Sequence, residues 1–113
     1  MNENIIKRIS GLGNFSKTTE KLDNYSSRDI FYPENVEKPF LILNKSTLEL
    51  RTDQKLGKLL IDKYESVMES RYFGRGGIEI VSQTDQLKPT ELEDLIRLSY
   101  NLTTKNTTSY TPQ

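Results

Sequence analysis

The chain has 113 residues, with 16 Lys and Arg against 16 Asp and Glu, and it contains no His, Cys or Trp. Such a chain is long enough for one domain with a single hydrophobic core. The composition excludes an imidazole general base, a thiolate nucleophile, a disulfide and the usual zinc or iron–sulfur ligands. A net charge of zero argues against a protein that coats nucleic acid by charge alone. No stretch is as long and apolar as a membrane span requires.

The first part of the chain is predicted to be helical. Apolar residues at helical spacing, followed by two glycines, indicate a short helix over Glu3–Ser10. A second short helix or turn is predicted over Lys17–Asn24. Phe15 and Leu22 are the core residues that we expect from this region.

The clearest β signal follows a predicted loop from residue 25 to residue 37. That loop contains one short predicted strand, Asp29–Tyr32. Phe40–Leu43 is a continuous apolar run, and Thr47–Arg51 alternates apolar and polar residues, so the two predict a hairpin with a polar turn. Leu48 and Leu50 should share one face, and the other face should carry Thr47, Glu49 and Arg51.

A helix is predicted to follow this hairpin directly. Thr52 or Asp53 can cap it, and leucines then recur at helical spacing. Gly57 lies inside this helix, where glycine costs about 1 kcal/mol relative to Ala. A close contact between the helix backbone and the sheet would explain that glycine.

A second hairpin is predicted from the next segment. Ser66–Phe73 and Ile78–Val81 are the expected strands, and Gly74–Gly77 is the expected turn. This arrangement would project a tip rich in glycine and arginine.

The last predicted element is a helix that begins near Pro89, with Glu91 as part of a capping box. We expect the Ser99 hydroxyl to bond to a carbonyl of its own helix, four residues back. Tyr100 should pack its ring at the margin of the core. Residues 104–113 lack apolar periodicity and are predicted to be a polar, disordered tail.

Together these elements predict an α+β domain over residues 1–103. We expect a two-layer sandwich in which an antiparallel sheet built from hairpins carries its helices on one face. The beginning of the chain lacks the apolar segment of a secretory signal, so a cytoplasmic location is expected. The domain should be monomeric or weakly self-associating.

Four segments resemble the YjbR/MmcQ-like family of small bacterial proteins: KPFLIL, LELRTDQKLGKLL, YESVMESRYF and ELEDLIRLSYNL. The resemblance runs from about Ile30 to Thr103, with Ser99-Tyr100 as its most recognisable pair. It implies a fold similar to that of CyaY, the bacterial frataxin, and a role as a DNA-binding module whose two hairpin wings contact the duplex. The family has no established biochemical activity. The chain departs from the family at Gly76-Gly77-Ile78, where an aromatic residue, commonly Trp, is usual.

The candidate nucleic-acid contacts lie around the two hairpins. Arginine forks and a nearby aromatic ring could hold phosphates at the second tip, and lysines accompany the first tip. An ordinary tight turn with solvated arginines is the alternative for the second tip, and a solvated helix face is the alternative for the lysines. The predicted contact residues are Lys45, Arg51, Lys55, Arg71, Tyr72 and Arg75.

No metal site, cofactor or catalytic residue is predicted. The acidic residues Glu91, Glu93 and Asp94 fall in the first turn of the last helix, where capping and the helix dipole already explain them. Carboxylate pairs such as Glu69 with Glu79 are conceivable, but nothing in the sequence determines their separation.

The sequence therefore predicts a non-enzymatic binding module, with weak DNA binding through the two hairpin wings as the leading hypothesis. The first alternative is a protein-interaction or regulatory domain that uses the exposed face of the sheet. Polar residues would line that face: Thr47, Glu49, Glu79 and Ser82. A small-molecule-binding domain or a minor enzyme is a third possibility, which requires a concave apolar pocket.

Overall fold

The computed structural model of the protein describes Lys7, residues 9–82 and residues 86–107. Within these residues one antiparallel sheet has six strands in the order β1-β2-β3-β4-β6-β5, and two longer helices pack against it. The predicted α+β architecture is confirmed. The elements are β1 (Phe15–Lys21), β2 (Ser27–Pro33), β3 (Leu41–Leu43), β4 (Thr47–Arg51), α1 (Gln54–Lys63), β5 (Val67–Ser70), β6 (Gly74–Val81) and α2 (Pro89–Thr107).

The hydrophobic core lies between the helices and one face of the sheet, called here the inner face. Alternate residues of the strands point into it, because successive side chains of a strand point to opposite faces. Each fully buried aliphatic or aromatic side chain contributes about 1.5–3 kcal/mol. The core includes Ile9, Phe31, Leu41, Leu43, Leu48, Leu50, Val67, Ile78, Ile80, Leu92, Leu95 and Ile96.

The first predicted hairpin is confirmed as β3 and β4, and so is the helix that follows it. The carboxylate of Asp53 caps α1 by accepting a hydrogen bond from the Leu56 N–H at 2.8 Å. Gly57 is buried against the sheet, as expected. A Cβ at that position would lie 2.9 Å from Thr52 Oγ1 and 3.6 Å from a methyl group of Ile78.

The helix or turn predicted over Lys17–Asn24 is wrong, because these residues form most of β1 and the turn after it. Leu22 is not a core residue, since 52% of it is exposed. β1 is an edge strand with six of its seven residues exposed, so it carries no alternation of apolar and polar residues that could reveal a strand. The prediction for Phe15 is confirmed, because its ring packs edge-on against Phe31 at 5.8 Å.

The helix predicted over Glu3–Ser10 lies largely outside the described residues. Lys7 and Ile9 are helical, and Ile9 is fully buried in the core.

The second hairpin is confirmed, but its turn lies three residues earlier than predicted. Arg71–Phe73 forms the turn, and Gly74–Gly77 begins β6 instead. Gly74 has a φ of 64°, and the pairing shifts register between Glu69 and Ser70. Gly77 lies in a crowded part of the strand, which explains a glycine outside a turn.

The last helix begins as predicted and ends later. The Lys88 N–H donates to the Glu91 carboxylate at 2.9 Å, which is one half of a capping box. The helix continues to Thr107, so residues 104–107 of the predicted tail are helical. Residues 108–113, the rest of that predicted tail, lie outside the described residues.

Ser99 does not bond to its own helix as expected. Its hydroxyl donates to the Phe40 carbonyl at 2.5 Å and accepts from the Arg51 N–H at 2.8 Å. The residue faces β3 and β4, where these backbone groups need partners in a buried environment. Tyr100 lies at the core margin as predicted, with its ring 5.0 Å from that of Phe40 and its hydroxyl bonded to the Asn14 carbonyl.

Candidate functional site

The face of the sheet opposite the helices, called here the outer face, carries two buried glutamates side by side. Glu49 on β4 and Glu79 on β6 are direct partners across the two strands. Both are only 1% exposed. The sequence correctly predicted the face for these residues but expected them to be exposed. The segment that joins β5 to β6 folds back over them.

Every oxygen of the two carboxylates accepts at least one hydrogen bond. Glu49 Oε1 accepts from the Ser70 hydroxyl at 2.7 Å and from the Tyr72 N–H at 2.8 Å. Its Oε2 accepts from the Asn44 amide at 2.8 Å. Buried carboxylates need such partners to offset the loss of water. We call this set of residues, with Glu79 and its partners below, the glutamate network.

Glu79 is held by an arginine. Arg71 Nε donates to Oε1 at 3.0 Å and Arg71 Nη2 donates to Oε2 at 2.6 Å, while the Thr47 hydroxyl donates to Oε2 at 2.7 Å. Asn44 joins the two halves, because its amide also bonds to the Thr47 hydroxyl at 3.0 Å. The two-point contact with a carboxylate holds the guanidinium in one orientation.

The ion pair stabilises the charged form of both partners. Burial raises the pKa of the Glu79 carboxyl, but hydrogen bonds from Arg71 and Thr47 and the charge of Arg71 outweigh it, so the pKa lies below its ordinary value. The hydrogen bond to Glu79 in turn raises the pKa of Arg71. The Arg71 side chain remains 76% exposed although its partner is buried. The pair therefore displays a fixed guanidinium on the outer face.

The residues after Arg71 are held on the same side of the sheet by aromatic contacts. The Arg28 guanidinium lies 5.2 Å from the centre of the Tyr72 ring, and the Arg51 guanidinium lies 4.7 Å from that of Phe73. Arg51 Nε also donates to the carbonyl of Pro39 at 2.9 Å. Burial lowers the pKa of Arg51 from its ordinary value.

These contacts leave a cleft of about 430 Å³ on the outer face. Arg28 is held at its wall by an ion pair with Glu20, and Arg71 by its pair with Glu79. Each guanidinium has five N–H groups, so donors remain for a ligand on both. The cleft is lined by Leu22, Arg28, Asn44, Glu49, Arg71 and Tyr72.

The structure brings three of the predicted contact residues together and separates the other three. Arg51, Arg71 and Tyr72 lie on or beside the outer face. Arg75 lines a different cleft against α1, of about 250 Å³, and Lys55 is exposed in the first turn of α1.

Lys45 lies at the tip of the first hairpin, at the opposite end of the sheet from the second tip. The pairing of Thr47 with Val81 and of Arg51 with Gly77 makes the two hairpins point in opposite directions. From Lys45 to Arg75 the path along the strands is eight residues, or about 26 Å. The two tips therefore do not form one continuous basic surface.

Sequence reasoning missed several residues of the site. It did not single out Arg28, Asn44 or Ser70, and it placed Glu49 and Glu79 on one face without expecting them to be direct neighbours. The available signal was that each glutamate lies between two apolar residues of a strand, as in Leu48-Glu49-Leu50. Their contact depends on the register between two strands 30 residues apart, which the sequence does not reveal.

Among the described residues, no group of three or more acidic side chains is arranged to hold a metal ion. Neither helix in that part of the chain is long and apolar enough to cross a membrane. Comparison with family models, with curated proteins and with solved structures finds no match to this chain.

Proposed function

We propose that this protein is a non-enzymatic binding module that holds a protein partner on the outer face of its sheet. The observation that carries the proposal is the cleft in which Arg28, Arg71 and Tyr72 meet beside the exposed Leu22. Tyr and Arg are, with Trp, the residues enriched at the energetic centres of protein interfaces. An exposed apolar residue beside them fits the same kind of surface.

The glutamate network supports this proposal because it prepares the surface for binding. The Tyr72 N–H is tied to Glu49 and the Arg71 guanidinium is tied to Glu79. Ordering a long side chain on binding costs about 0.5–1.5 kcal/mol. Groups that are already held in place avoid part of that cost.

Charge favours a protein partner over nucleic acid. Arg28 is paired with Glu20 and Arg71 with Glu79, and the Glu49 carboxylate lines the same cleft. The outer face therefore carries little excess positive charge, whereas nucleic-acid affinity depends on neutralising phosphates. The opposite directions of the two hairpin tips also weaken the hypothesis of two DNA-contacting wings.

Weak DNA binding remains the second candidate, through Arg71 and Tyr72 on one face. Proteins that bind single-stranded nucleic acid use an aromatic ring to stack on a base and a nearby guanidinium to contact a phosphate. Membership of the YjbR/MmcQ-like family is likewise a proposal, which rests on the sequence segments that resemble it.

The proposal can be tested by photo-crosslinking in the cells that make the protein. A benzoylphenylalanine at position 72 keeps an aromatic ring at the cleft, and the same residue at position 59 places it on the exposed surface of α1 as a matched control. We expect a covalent adduct with one defined polypeptide from position 72 and none from position 59. Arg28→Ala should reduce the yield of that adduct.

Two outcomes would contradict the proposal. One is an absent adduct, or the same adduct from both positions. The other is binding of single-stranded or duplex DNA at about 50 mM salt that weakens steeply with added salt and is lost in Arg28→Ala. The second outcome would favour the nucleic-acid candidate instead.

A further inference from the structure

The edge strand β1 offers a second binding surface, separate from the cleft. Within the described residues β1 pairs with β2 only, and six of its seven residues are exposed. A strand at the edge of a sheet has unpaired N–H and C=O groups along one side, to which another strand can be added.

The hydrogen bonds at both ends of the pair show which residues present these groups. The Leu22 N–H donates to Ser26, and the Glu34 N–H donates to Asn14. In an antiparallel pair, the backbone N–H and C=O groups of one residue bond to the neighbouring strand, and those of the next residue point away from it. The even-numbered residues of β1 therefore bond to β2. The N–H and C=O groups of Lys17, Thr19 and Lys21 point to the open edge.

The charged side chains of this edge differ in whether they form ion pairs. On the outer side, Glu20 is paired with Arg28. On the inner side, Lys17 and Lys21 lie four residues apart on the same face of the strand, with Thr19 between them bonded to Asp29. Within the part of the chain that the structure describes, neither lysine makes an ion pair. The edge thus presents two ammonium groups beside unpaired backbone groups.

The positions of these lysines disfavour a second copy of the chain as the added strand. If two copies of β1 pair antiparallel with their faces aligned, odd-numbered residues of one copy lie opposite odd-numbered residues of the other. Three such registers pair most of the strand. They place Lys17 of one copy opposite Lys17 of the other copy, opposite its Lys21, or diagonally beside its Lys21. Like charges at these positions are destabilising.

We propose that β1 takes an extended acidic segment of another protein as a seventh strand of the sheet. Its backbone would bond to Lys17, Thr19 and Lys21, and two carboxylates four residues apart would lie opposite the two lysines. This surface is distinct from the outer-face cleft, so the proposal stands or falls independently of the proposed function.

The test uses two synthetic seven-residue peptides with blocked ends and the full-length protein. The first peptide is Thr-Glu-Val-Thr-Val-Glu-Thr, and the control has Lys in place of each Glu. Binding is followed by amide shifts in NMR spectra. We expect shifts centred on residues 17–21 with the acidic peptide, and binding about tenfold weaker with the lysine peptide.

Two variants separate the charge from the backbone. Lys17→Glu with Lys21→Glu should reverse the preference between the peptides, and both side chains are exposed, so folding should be preserved. Thr19→Pro removes an edge-facing N–H and the side-chain bond to Asp29 but no backbone bond to β2, and should abolish binding of the acidic peptide. An unchanged preference in the double variant would overturn the proposal. So would a dimer in sedimentation that the double variant changes.

Discussion

At the scale of single residues, the central feature is the burial of two carboxylates in the middle of a sheet. Removing an ionised group from water is costly unless it is paired and hydrogen-bonded. Glu79 is paired with Arg71 and also accepts a hydrogen bond from Thr47, whereas Glu49 accepts hydrogen bonds from neutral donors on Asn44, Ser70 and Tyr72. The result is a turn segment that is held against the sheet by side chains.

The lowered pKa of Glu79 makes the stability of the protein sensitive to acid. Its folded-state pKa lies below the ordinary value of 4.5, so the ion pair contributes fully above that pH, and its contribution is lost as the pH falls toward the folded-state value. In Glu79→Gln we expect the free energy of unfolding at neutral pH to fall by about 1.5–3 kcal/mol. Its decrease below pH 4.5 should also become shallower.

The measurement is urea unfolding at a series of pH values from neutral to acid. Glu65→Gln is the matched control, because Glu65 is exposed and should change neither quantity. An acid dependence in Glu79→Gln as steep as in the unchanged protein would show that this carboxyl does not have a lowered pKa.

At the scale of elements, the β5–β6 hairpin depends on a close approach that only glycine permits. A Cβ on Gly77 would meet the Leu50 carbonyl oxygen and would lie 2.7 Å from Phe73 Cβ. Gly77→Ala should therefore lower the free energy of unfolding by about 1–3 kcal/mol. Thermal or urea unfolding measures this change.

Gly76→Ala is the control for that prediction. A Cβ there has only an ordinary contact, 3.6 Å from the Phe73 carbonyl oxygen. Because the substitution also reduces the freedom of the unfolded chain, it should leave stability unchanged or raise it slightly. Equal losses in both variants would contradict the crowding at Gly77.

The attachment of α2 to the sheet relies on the hydroxyl of Ser99, which bridges Phe40 and Arg51. Ser99→Ala leaves the Arg51 N–H without its partner in a buried setting. We expect a loss of about 1–3 kcal/mol in the free energy of unfolding.

Thr104→Ala is the matched change, because among the described residues the Thr104 hydroxyl bonds to carbonyls of its own helix alone. It should cost no more than about 0.5 kcal/mol in the same urea unfolding measurement. A Ser99 variant as stable as the Thr104 variant would refute the bridging role.

Elements with an apolar face were predictable, and β1, which lacks one, was not. β4 could be predicted because Leu48 and Leu50 alternate with polar residues. β1 was missed because solvent surrounds nearly all of it, so hydrophobicity leaves no pattern along the strand. The turn of the second hairpin was misplaced because a glycine that permits close packing within a strand, such as Gly77 in β6, cannot be distinguished in the sequence from a glycine that forms a turn.

At the scale of the whole molecule, the two faces of the sheet have different roles. The inner face and the helices form the core, and the alternation of apolar residues was sufficient to predict that layer. The outer face depends on strand register and on a turn that folds back over the sheet. Contacts between residues as distant in sequence as Glu49 and Tyr72 follow from that folding and not from local pattern.

The proposed binding face requires that the turn Arg71–Phe73 is held against the sheet, and hydrogen exchange of its amides tests this most directly. The Tyr72 N–H donates to Glu49 and the Phe73 N–H donates to the Ser70 hydroxyl, each at 2.8 Å. We expect the Tyr72 amide to exchange about a hundredfold more slowly than that of Lys45 in the other turn, and to lose this protection in Glu49→Ala. Exchange at Tyr72 as fast as at Lys45 would mean that the turn is not held, and would contradict a preorganised outer face.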